Sequence, residues 1–560
     1  MTATDPFSYR RPPELNGKRR HVPVIVVGAG PVGLSAAIDL GQQGIETLLL
    51  DRDDCLSEGS RAICFAKRTL EVLDRLGVGE RAVGRGVIWN TGKVFLRERL
   101  LYRFDLQPEP GYRRPAFINL QQYLLEQYLV ERLLELPQAE LRWRNEVVDV
   151  AQRSDSVGVT VQTPDGRYQI DCDYLIACDG ARSPVRHLLG LEAKGQVFRD
   201  RFLIADVRMN ADFPTERWFW FDPPFHRNQS VLLHRQADNV WRIDFQLGAD
   251  ADPEIERQPE KVIPRIRAML GADCKFTLEW VSVYTFQCRR MSRFLHRRVI
   301  FAGDAAHQVS PFGARGANSG IQDVDNLVWK LKLLLDGRAP RALLDSYDSE
   351  RVPAADENIL NSTRSTDFIT PKSKTSRAFR DACLQLAEQH PFARKLVNSG
   401  RLSLPSIYRD SPLNTPDSAR FGGIAEPGAP APDAPLAAGA ARHWLIDRIG
   451  AGFDLLYFAG PQDLSAALQD QFQALQQLPV PIAITVIAAE GSRAGGADCF
   501  EDIEGLFAQR YDATPGSAWL LRPDQHLCAR WRGFELQQVI AAQARALAGT
   551  PATQTRETVQ

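Results

Sequence analysis

A short apolar run that leads into a glycine-rich turn constrains the fold of this 560-residue chain more than any other feature. Val22–Val27 predicts a buried strand, because it is short, rich in β-branched residues and closed by glycine. A helix is predicted over Ala29–Gln42, and a second buried strand over Thr47–Leu50. Strand, helix and strand within about thirty residues form a βαβ unit, which implies a parallel, doubly wound sheet.

The turn after the first strand has the sequence Gly28-Ala29-Gly30-Pro31-Val32-Gly33. Gly28 would make the tight turn, Gly30 would let the backbone approach a pyrophosphate, and Gly33 would let the helix pack closely against the sheet. The helix N-terminus offers unpaired N–H groups and the positive end of its dipole to phosphates. Asp51, at the end of the second strand, could accept hydrogen bonds from ribose hydroxyls. The motif predicts a dinucleotide site but does not choose between NAD and FAD.

Charge balance and cysteine spacing exclude several classes of function. The chain has 68 Lys and Arg against 69 Asp and Glu, so it lacks the positive charge that attracts nucleic acid or an anionic membrane. With 44% hydrophobic residues the composition is that of a globular protein. The nine cysteines include no CxxC pair, so neither a disulfide framework nor a metal site is predicted. The apolar run Val480–Ala489 is too short to span a membrane, which makes the cytoplasm the expected location.

The remaining pattern divides the chain further. Phe202–Phe286 contains Trp, Phe and Val in short alternating runs, which predict a mainly antiparallel sheet. Val299–Phe301 returns to a buried strand, and Gly320–Leu335 has the periodicity of an amphipathic helix. Residues 412–440 are rich in Pro, Ala and Gly, which favours a linker rather than core. Strands and helices alternate again beyond it: a helix is predicted over Gln462–Leu478, a strand near Leu527–Trp531 and a final helix over Phe534–Leu547.

Three further segments, together with the glycine turn, resemble a known family. The first is Ser60-Arg61-Ala62, the second is Cys178-Asp179-Gly180-Ala181-Arg182-Ser183, and the third is Gly303-Asp304-Ala305-Ala306-His307, followed by Pro311 and Gly313. In this order they resemble the motifs of FAD-dependent aromatic-ring monooxygenases of the para-hydroxybenzoate hydroxylase and phenol hydroxylase type. The C-terminal part resembles the thioredoxin-like domain found in the phenol hydroxylase branch.

The resemblance implies a fold with α/β and α+β parts. We expect a Rossmann-like FAD-binding domain of the glutathione-reductase type, an inserted, mainly antiparallel β-sheet domain for the substrate, and a C-terminal thioredoxin-like domain without CxxC. The expected ranges are a basic lead over 1–20, a discontinuous FAD-binding domain over 21–190 and 290–400, a substrate domain over 191–289, a linker over 412–440 and the thioredoxin-like domain over 441–560.

The resemblance also implies an activity. NADH or NADPH would reduce FAD, O₂ would add to give a flavin C4a-hydroperoxide, and one oxygen atom would enter a phenolic ring. Expected partners are thus a small aromatic substrate and O₂, with no nucleic acid and no membrane insertion, and a homodimer is possible. The candidate cofactor-binding residues are Gly28, Gly30, Pro31, Gly33, Asp51, Arg52, Arg61, Gln122 (with Gln121 as a rival), Asp179, Gly180, Arg182, Gly303, Asp304, Pro311, Gly313, Gly316 and Asn318.

The catalytic residues are less constrained by the sequence. Ile63 stands where phenol hydroxylase-like relatives carry an ionisable residue, so the familiar base is missing there. Arg242 and Pro311 are the catalytic candidates, and Trp220 and Gln246 are candidates for the substrate pocket. Arg242, Asp244 and Gln246 would share one face of a strand, although a surface ion pair between Arg242 and Asp244 explains two of them equally well. Core packing is the competing explanation for Trp220, and His307 is expected to be structural.

Two other functions stay open at this stage. Trp218-Phe219-Trp220-Phe221-Asp222-Pro223 partly matches the WxWxIP motif of flavin-dependent halogenases, with Asp222 in place of Ile. Halogenases generally take reduced flavin from a partner protein, so the Asp179-Gly180 motif favours the hydroxylase. The other alternative is a flavin-binding redox sensor without catalytic turnover.

Overall fold

The computed structural model describes residues 7–57, 59, 61–211, 213–397, 403–460, 464–490 and 499–548. The chain divides into two compact units. The first consists of Met1–Pro108, Pro115–Val324 and Ala355–Leu404, and the second of Glu109–Arg114, Asp325–Ala354 and Pro405–Gln560. Among the helices in the described ranges, none is both long enough and apolar enough to cross a bilayer.

A parallel sheet organises the N-terminal part of the first unit. Its strands, in spatial order, are Leu295–His296, Val299–Phe301, Gly166–Ala177, His21–Val27, Thr47–Leu50 and Ala139–Arg142. All neighbours after the first pair run parallel. Two further strands extend this sheet through antiparallel pairs. Gly166–Ala177 pairs with Val157–Thr163, which in turn pairs with Glu146–Gln152. The predicted strands over Val22–Val27, Thr47–Leu50 and Val299–Phe301 are confirmed.

Helices accompany the sheets of the first unit. They are Pro31–Gln42, Lys67–Arg75, Gly79–Arg85, Gln122–Leu133, Pro184–Leu188, Pro253–Glu256, Pro259–Leu270, Lys374–Gln389 and Pro391–Val397, while Gly316–Leu335 and Ala342–Ile369 contribute residues to both units. The helix predicted from Gly320 begins at Gly316 instead. Gly320 therefore lies inside the helix, and glycine suits this position because a Cβ there would come within 2.6 Å of the Val32 side chain.

A second eight-stranded sheet lies in the same unit. Its spatial order is His307–Gln308, Phe276–Met291, Ala193–Met209, Val240–Leu247, Ser230–Arg235, Arg217–Phe221, Thr91–Leu96 and Arg99–Asp105. The pairs are antiparallel, as predicted, except that Arg217–Phe221 runs parallel to Thr91–Leu96. The sheet therefore extends beyond the range 191–289 that the sequence predicts for it. A small sheet of Cys64–Ala66, Phe117–Asn119 and Val87–Trp89 completes the unit.

The two faces of the second sheet differ in chemistry, because successive side chains of a strand point to opposite sides. Trp220 belongs to one face, in a buried cluster with Val262 of helix Pro259–Leu270. On the other face the register places Asp206 beside Arg242, and Arg242 beside His234. One side of the sheet is thus an ordinary apolar core, while the other carries buried charged groups.

The second unit is built on a seven-stranded sheet. Its order is Ala441–Trp444, Pro435–Ala438, Cys499–Asp502, Ile482–Ala489, Phe453–Ala459, Ala518–Leu521 and Leu527–Trp531, and its helices include Ala466–Gln476, Leu506–Tyr511 and Leu536–Ala546. The three central strands run parallel. The predicted strand Leu527–Trp531 is confirmed, and part of the helix predicted over Gln462–Leu478 lies outside the described residues.

The proline-rich segment over 412–440 differs from the predicted linker. Leu413, Ala425, Ala434 and Leu436 are buried in the two apolar clusters of the second unit. Pro435–Ala438 forms a strand that pairs with Ala441–Trp444 on one side and with Cys499–Asp502 on the other. Composition alone therefore misleads here, because this segment packs inside the second unit and is not a solvated connection.

A buried ion network stabilises the second unit. Arg522 donates to Asp524 over 2.6 Å and also pairs with Glu350, which accepts from Lys330 over 2.7 Å. All four side chains are fully buried. Burial alone would raise the pKa of Glu350, but Arg522 and Lys330 outweigh it and lower this pKa to about 2. The network is therefore charged at neutral pH.

We expect Arg522→Met to lower the free energy of unfolding of this unit by about 3–5 kcal/mol, because it leaves two buried carboxylates without their shared cation. Chemical denaturation, followed by tryptophan fluorescence, measures the loss. The control is Arg442→Met, which breaks an exposed pair with Glu504 and should cost at most about 1 kcal/mol. Equal stabilities of the two variants would contradict the importance of the network.

Candidate functional site

A cavity of about 730 Å³ opens in the first unit where the parallel strands end. Its lining includes Gly28, Asp51, Cys178 and Ala302, each of which directly follows a strand of the parallel sheet. Open α/β sheets bind ligands at this edge. The opposite part of the lining comes from the charged face of the second sheet and includes Arg242.

Most of the residues predicted from the sequence lie in this cavity. Those that line it are Gly28, Gly30, Pro31, Asp51, Arg52, Arg61, Gln122, Asp179, Gly180, Arg242, Asp304, Pro311, Gly316 and Asn318. Gly33, Arg182, Gly303, Gly313, Trp220 and Gln246 are not part of the lining. The cavity also contains Arg217, His234 and Ile204, which the sequence reasoning missed, and Asp244, which it treated as a surface partner of Arg242.

The glycine turn is built by close backbone contacts. Gly28 has φ +103°, and a Cβ there would lie 2.5 Å from the carbonyl oxygen of Cys178. Gly33 does not line the cavity, because it packs inward: a Cβ added at Gly33 would lie 1.9 Å from the Gly28 carbonyl oxygen. A Cβ on Gly30, in contrast, would have no neighbour within 4 Å, so open space lies beside the N-terminus of helix Pro31–Gln42. This is a cradle of the kind that binds phosphate.

Asp51 closes the same end of the cavity. Its carboxylate accepts hydrogen bonds from the backbone N–H groups of Ala29 and Asp53, the latter over 2.8 Å. Burial raises the pKa of Asp51, and these two donors oppose the effect. The bond from Ala29 ties the second strand to the glycine turn, so the carboxylate both holds the turn and lines the cavity.

Gln122 anchors the chain around Arg61. Its Oε1 accepts from the backbone N–H of Ala62 over 2.9 Å, and its Nε2 donates to Glu126 over 2.8 Å. The rival residue, Gln121, donates instead to the carbonyl oxygen of Ala237 and does not line the cavity. The geometry therefore favours Gln122 of the two as the cavity residue.

The turn Gly303–Ala305 positions a carboxylate at the third segment. Gly303 adopts φ +62° and donates its N–H to Asp323 over 2.9 Å, which fixes the turn. Asp304 is exposed to the cavity. His307 does not reach the cavity, and its Nε2 lies 2.7 Å from Asp323 in a fully buried pair, which agrees with the structural role expected for it. Asn318 accepts a hydrogen bond from the backbone N–H of Ala66 and donates one to the carbonyl oxygen of Cys64, which fixes the strand Cys64–Ala66 beside the cavity.

The structure contradicts two pocket predictions, those for Trp220 and Gln246, and also the competing explanation of Arg242 as half of a surface ion pair with Asp244. Arg242 is buried rather than on the surface, and its partner is Asp206, which it contacts through Nε at 2.9 Å and Nη2 at 3.0 Å. Trp220 points to the opposite face of the sheet and stacks on Phe95 at 5.2 Å. Gln246 shares the face of Arg242 but lies farther along the strand, where its Oε1 accepts from Ser230 N–H over 3.0 Å.

Four ionisable side chains form the wall that the second sheet contributes. They come from three adjacent strands and are Arg217, His234, Arg242 and Asp244. Burial lowers the pKa of His234 well below its usual value, and Arg217 and Arg242 add to this effect. Alternation along a strand identifies Arg242 and Asp244, but Arg217 precedes and His234 follows an apolar run, so only strand pairing brings these two to the same wall.

The donors and acceptors of the cavity fit FAD. Open space at Gly30 meets the helix N-terminus, which suits a pyrophosphate, and Asp51 and Asp304 supply acceptors for hydroxyl groups. One oxygen of Asp179 is buried without a hydrogen-bond partner among the described residues, so it retains an acceptor for a bound group. A diphosphate flanked by two polyhydroxyl chains offers the complementary groups.

Comparison with known proteins identifies the family. A family model described as "FAD binding domain" matches residues 21–362. The chain is 28% identical over 538 residues to the "3-(3-hydroxy-phenyl)propionate/3-hydroxycinnamic acid hydroxylase" of Burkholderia cenocepacia (strain HI2424), covering 94% of this chain and 96% of the relative. It is 34% identical over 360 residues to the "Probable NADH-specific resorcinol 4-hydroxylase" of Rhodococcus jostii (strain RHA1), covering 62% and 65%.

A solved structure agrees with these relatives. The flavin-dependent monooxygenase PieE, crystallised with FAD and substrate, matches with a TM-score of 0.80 and 25% identity over 95% of this chain and 99% of PieE. The chain therefore belongs to the FAD-binding domain family, and its mixed α/β fold with several sheets is that of FAD-dependent monooxygenases. Within that family it is an aromatic-ring monooxygenase whose cofactor is FAD.

The glycine turn provides a direct test of the cofactor site. We expect Gly33→Ala to lower both FAD content and stability, the latter by about 1–3 kcal/mol, because the new methyl group would overlap the Gly28 carbonyl oxygen. Flavin absorbance of the purified protein and thermal unfolding measure the two effects. Gly84→Ala is the matched control, since Gly84 lies in a helix with open space around it. Full flavin retention by Gly33→Ala would contradict the close packing.

Proposed function

We propose that the protein is a single-component hydroxylase that uses NADH or NADPH and O₂ to insert one oxygen atom into a phenolic or related aromatic ring. One observation carries the proposal: a single cavity is lined both by the glycine turn around Gly30, whose motif is typical of dinucleotide binding, and by the ionisable wall of the second sheet. The first set suits FAD, and the second set suits a polar aromatic molecule. The names of the relatives, which are hydroxylases of phenolic compounds, support the same reaction class.

FAD, when bound, supplies the redox chemistry, because no side chain of the chain can activate oxygen. The residues of the cavity have the remaining tasks. The turn at Gly30 and the helix behind it hold the phosphates, and Asp51 and Asp304 hold hydroxyl groups of the cofactor. The wall of the second sheet orients the ring, while the apolar residues Ile63 and Ile204 help to exclude water at that end.

Electrostatics at the wall favours an electron-rich phenol. Arg217 lines the cavity, and its guanidinium makes neither a hydrogen bond nor a salt bridge with any residue that the structure describes. Burial lowers the pKa of Arg217, while Asp244 and Cys64 oppose the change. An unpaired cation in such surroundings is stabilised by a negative charge, and the phenolate oxygen of a bound substrate supplies one.

The proposal also covers the domain organisation. Residues 21–190 and 290–400 would form the FAD-binding domain, 191–289 most of the substrate domain, and 441–560 a thioredoxin-like domain without CxxC. The parallel central strands of the second unit and its helices support this last assignment. Its two cysteines, Cys499 and Cys528, are separate thiols, so the domain would serve packing or homodimer formation rather than thiol exchange.

Stimulated oxidation of the reductant tests the function. Purified protein with bound FAD should oxidise NADH or NADPH slowly alone and faster when 3-(3-hydroxyphenyl)propionate, resorcinol or a polycyclic phenol is added. Oxygen uptake and a product heavier by one oxygen atom should accompany the stimulation. A protein that stays inert with both reductants, but chlorinates or brominates a ring when supplied with reduced flavin, would be a halogenase. A protein that binds flavin without forming product would be a sensor.

Asp304 provides the corresponding test of cofactor binding. We expect Asp304→Ala to raise the Kd for FAD roughly 10- to 100-fold, because a hydrogen bond to a charged acceptor contributes about 1.5–3 kcal/mol. Equilibrium dialysis of the apoprotein measures this change. Asp155→Ala, which alters an exposed turn, is the control. An unchanged affinity in the Asp304 variant would remove this residue from the cofactor site.

A further inference from the structure

A carboxylate and an imidazole face the cavity from adjacent strands of the second sheet. Asp244 lies on Val240–Leu247 and His234 on Ser230–Arg235, and both line the cavity. The distance from Asp244 Oδ2 to His234 Nε2 is 3.9 Å. This is too long for a direct hydrogen bond, but a hydroxyl oxygen placed between the two atoms can lie within about 2.7–3.0 Å of both.

Both side chains have unused hydrogen-bonding capacity. Asp244 Oδ1 and His234 Nδ1 are buried and have no hydrogen-bond partner in the described part of the chain. Leaving such groups unpaired is costly, whereas the nearby buried carboxylate of Asp206 accepts from both Arg242 and Gln236. The two atoms that face each other, Asp244 Oδ2 and His234 Nε2, likewise make no hydrogen bond with a residue that the structure describes, so they are available to a polar group of a ligand.

The surroundings favour a negative charge on that ligand. Arg217 and Arg242 flank the pair, and of these two only Arg242 is engaged by a carboxylate of the described residues, that of Asp206. A cation within about 4–6 Å lowers the pKa of an acid by roughly one to three units. A phenol, whose pKa is about 10 in water, would thus ionise more readily at this position than in solution.

We propose that Asp244 accepts the proton of the substrate's phenolic hydroxyl, which lies between Asp244 and His234. This inference rests on the proposed hydroxylase function and names the base that Ile63 does not provide. In the step, the phenolic O–H bond breaks and an O–H bond forms on Asp244. The negative charge moves from the carboxylate to the phenolate oxygen, beside Arg217 and the Nε2 of His234. The proton returns from Asp244 when the hydroxylated product leaves.

Asp244 suits this task better than its neighbours. Burial raises its pKa to about 6, against the opposing effects of Arg242 and Arg217, so it is ionised at neutral pH and yet more basic than an ordinary carboxylate. His234 is held neutral and is a weak base, since its pKa lies well below the usual value. Cys64 donates to Asn119, and burial raises its pKa to about 11. Asp206 is occupied by Arg242 and Gln236.

The test compares wild type with Asp244→Asn, using resorcinol, 3-(3-hydroxyphenyl)propionate and their ring-fluorinated forms, whose hydroxyls are more acidic. At pH 7.5 the variant should hydroxylate resorcinol on the order of 100-fold more slowly, which is the usual contribution of a general base. The deficit should shrink as fluorine lowers the pKa of the phenol. FAD content and NADH oxidation without substrate are measured for both proteins, so that a loss of cofactor is distinguished from a loss of the base. Glu279→Gln, an exposed carboxylate on the same sheet, is the control.

The pH profile provides a second readout. Asp244 must be ionised to accept a proton, so wild-type hydroxylation should decline as the pH falls through about 6 and lose a factor of ten per unit below it. The pH profile of Asp244→Asn should lack this decline on the acid side, the acid limb of the profile. His234→Asn should raise KM and lower kcat but keep the limb, because the base is still present. This variant carries the test if Asp244→Asn does not bind FAD.

The outcomes separate this inference from the function itself. If wild type hydroxylates phenols and Asp244→Asn does so at the same rate, the inference is wrong and the hydroxylase function stands. A deficit of Asp244→Asn that is equal for all phenols, whatever their acidity, also overturns it, as does an acid limb that persists in this variant. A wild-type protein that hydroxylates no phenol refutes the proposed function.

Discussion

The close backbone contact between the glycine turn and the end of the neighbouring strand is the constraint on which the first unit depends. With φ +103° at Gly28 and the Cys178 carbonyl oxygen where a side chain would begin, the first strand can pass directly into helix Pro31–Gln42. The same turn is tied to Asp51 through the N–H of Ala29. Three strand ends are thereby fixed around one space, and the helix N-terminus is aimed into it. The shape of this end of the cavity is therefore a property of the backbone.

The opposite wall follows a different physical principle, because it is made from buried charged side chains. Burying Arg242 costs desolvation energy, which its two-point contact with Asp206 offsets, and that contact fixes the guanidinium in one orientation. Arg217, His234 and Asp244 have no such complete arrangement among the described residues, and together they leave both positive and negative groups available to a ligand. Incomplete pairing in a folded protein is unfavourable unless a ligand completes it, and under the proposed function that ligand is the substrate.

Local sequence patterns were sufficient for the elements whose structure is determined locally. Thr47–Leu50 and Val299–Phe301 are short β-branched or apolar runs, and their bounds agree with the structure. Features that depend on strand register could not be predicted in this way. The partner of Arg242 is 36 residues away in the chain, and only the alignment of two strands brings Asp206 beside it. Trp220 was misplaced for the same reason, since alternation shows that a strand has two faces but not which of them meets the cavity.

Under the proposed function, this difference between the two walls would let the cofactor and the substrate be recognised independently. Changes in the side chains of the second sheet leave the backbone of the glycine turn untouched, so substrate preference can vary while FAD binding is preserved. The apolar Ile63 is consistent with such variation: it lies on a segment held by Gln122 and Asn318 and carries no charge. A base placed on the rigid, hydrogen-bonded sheet has a more fixed position than one on that loop, and fixed geometry is what proton transfer to a held ring requires.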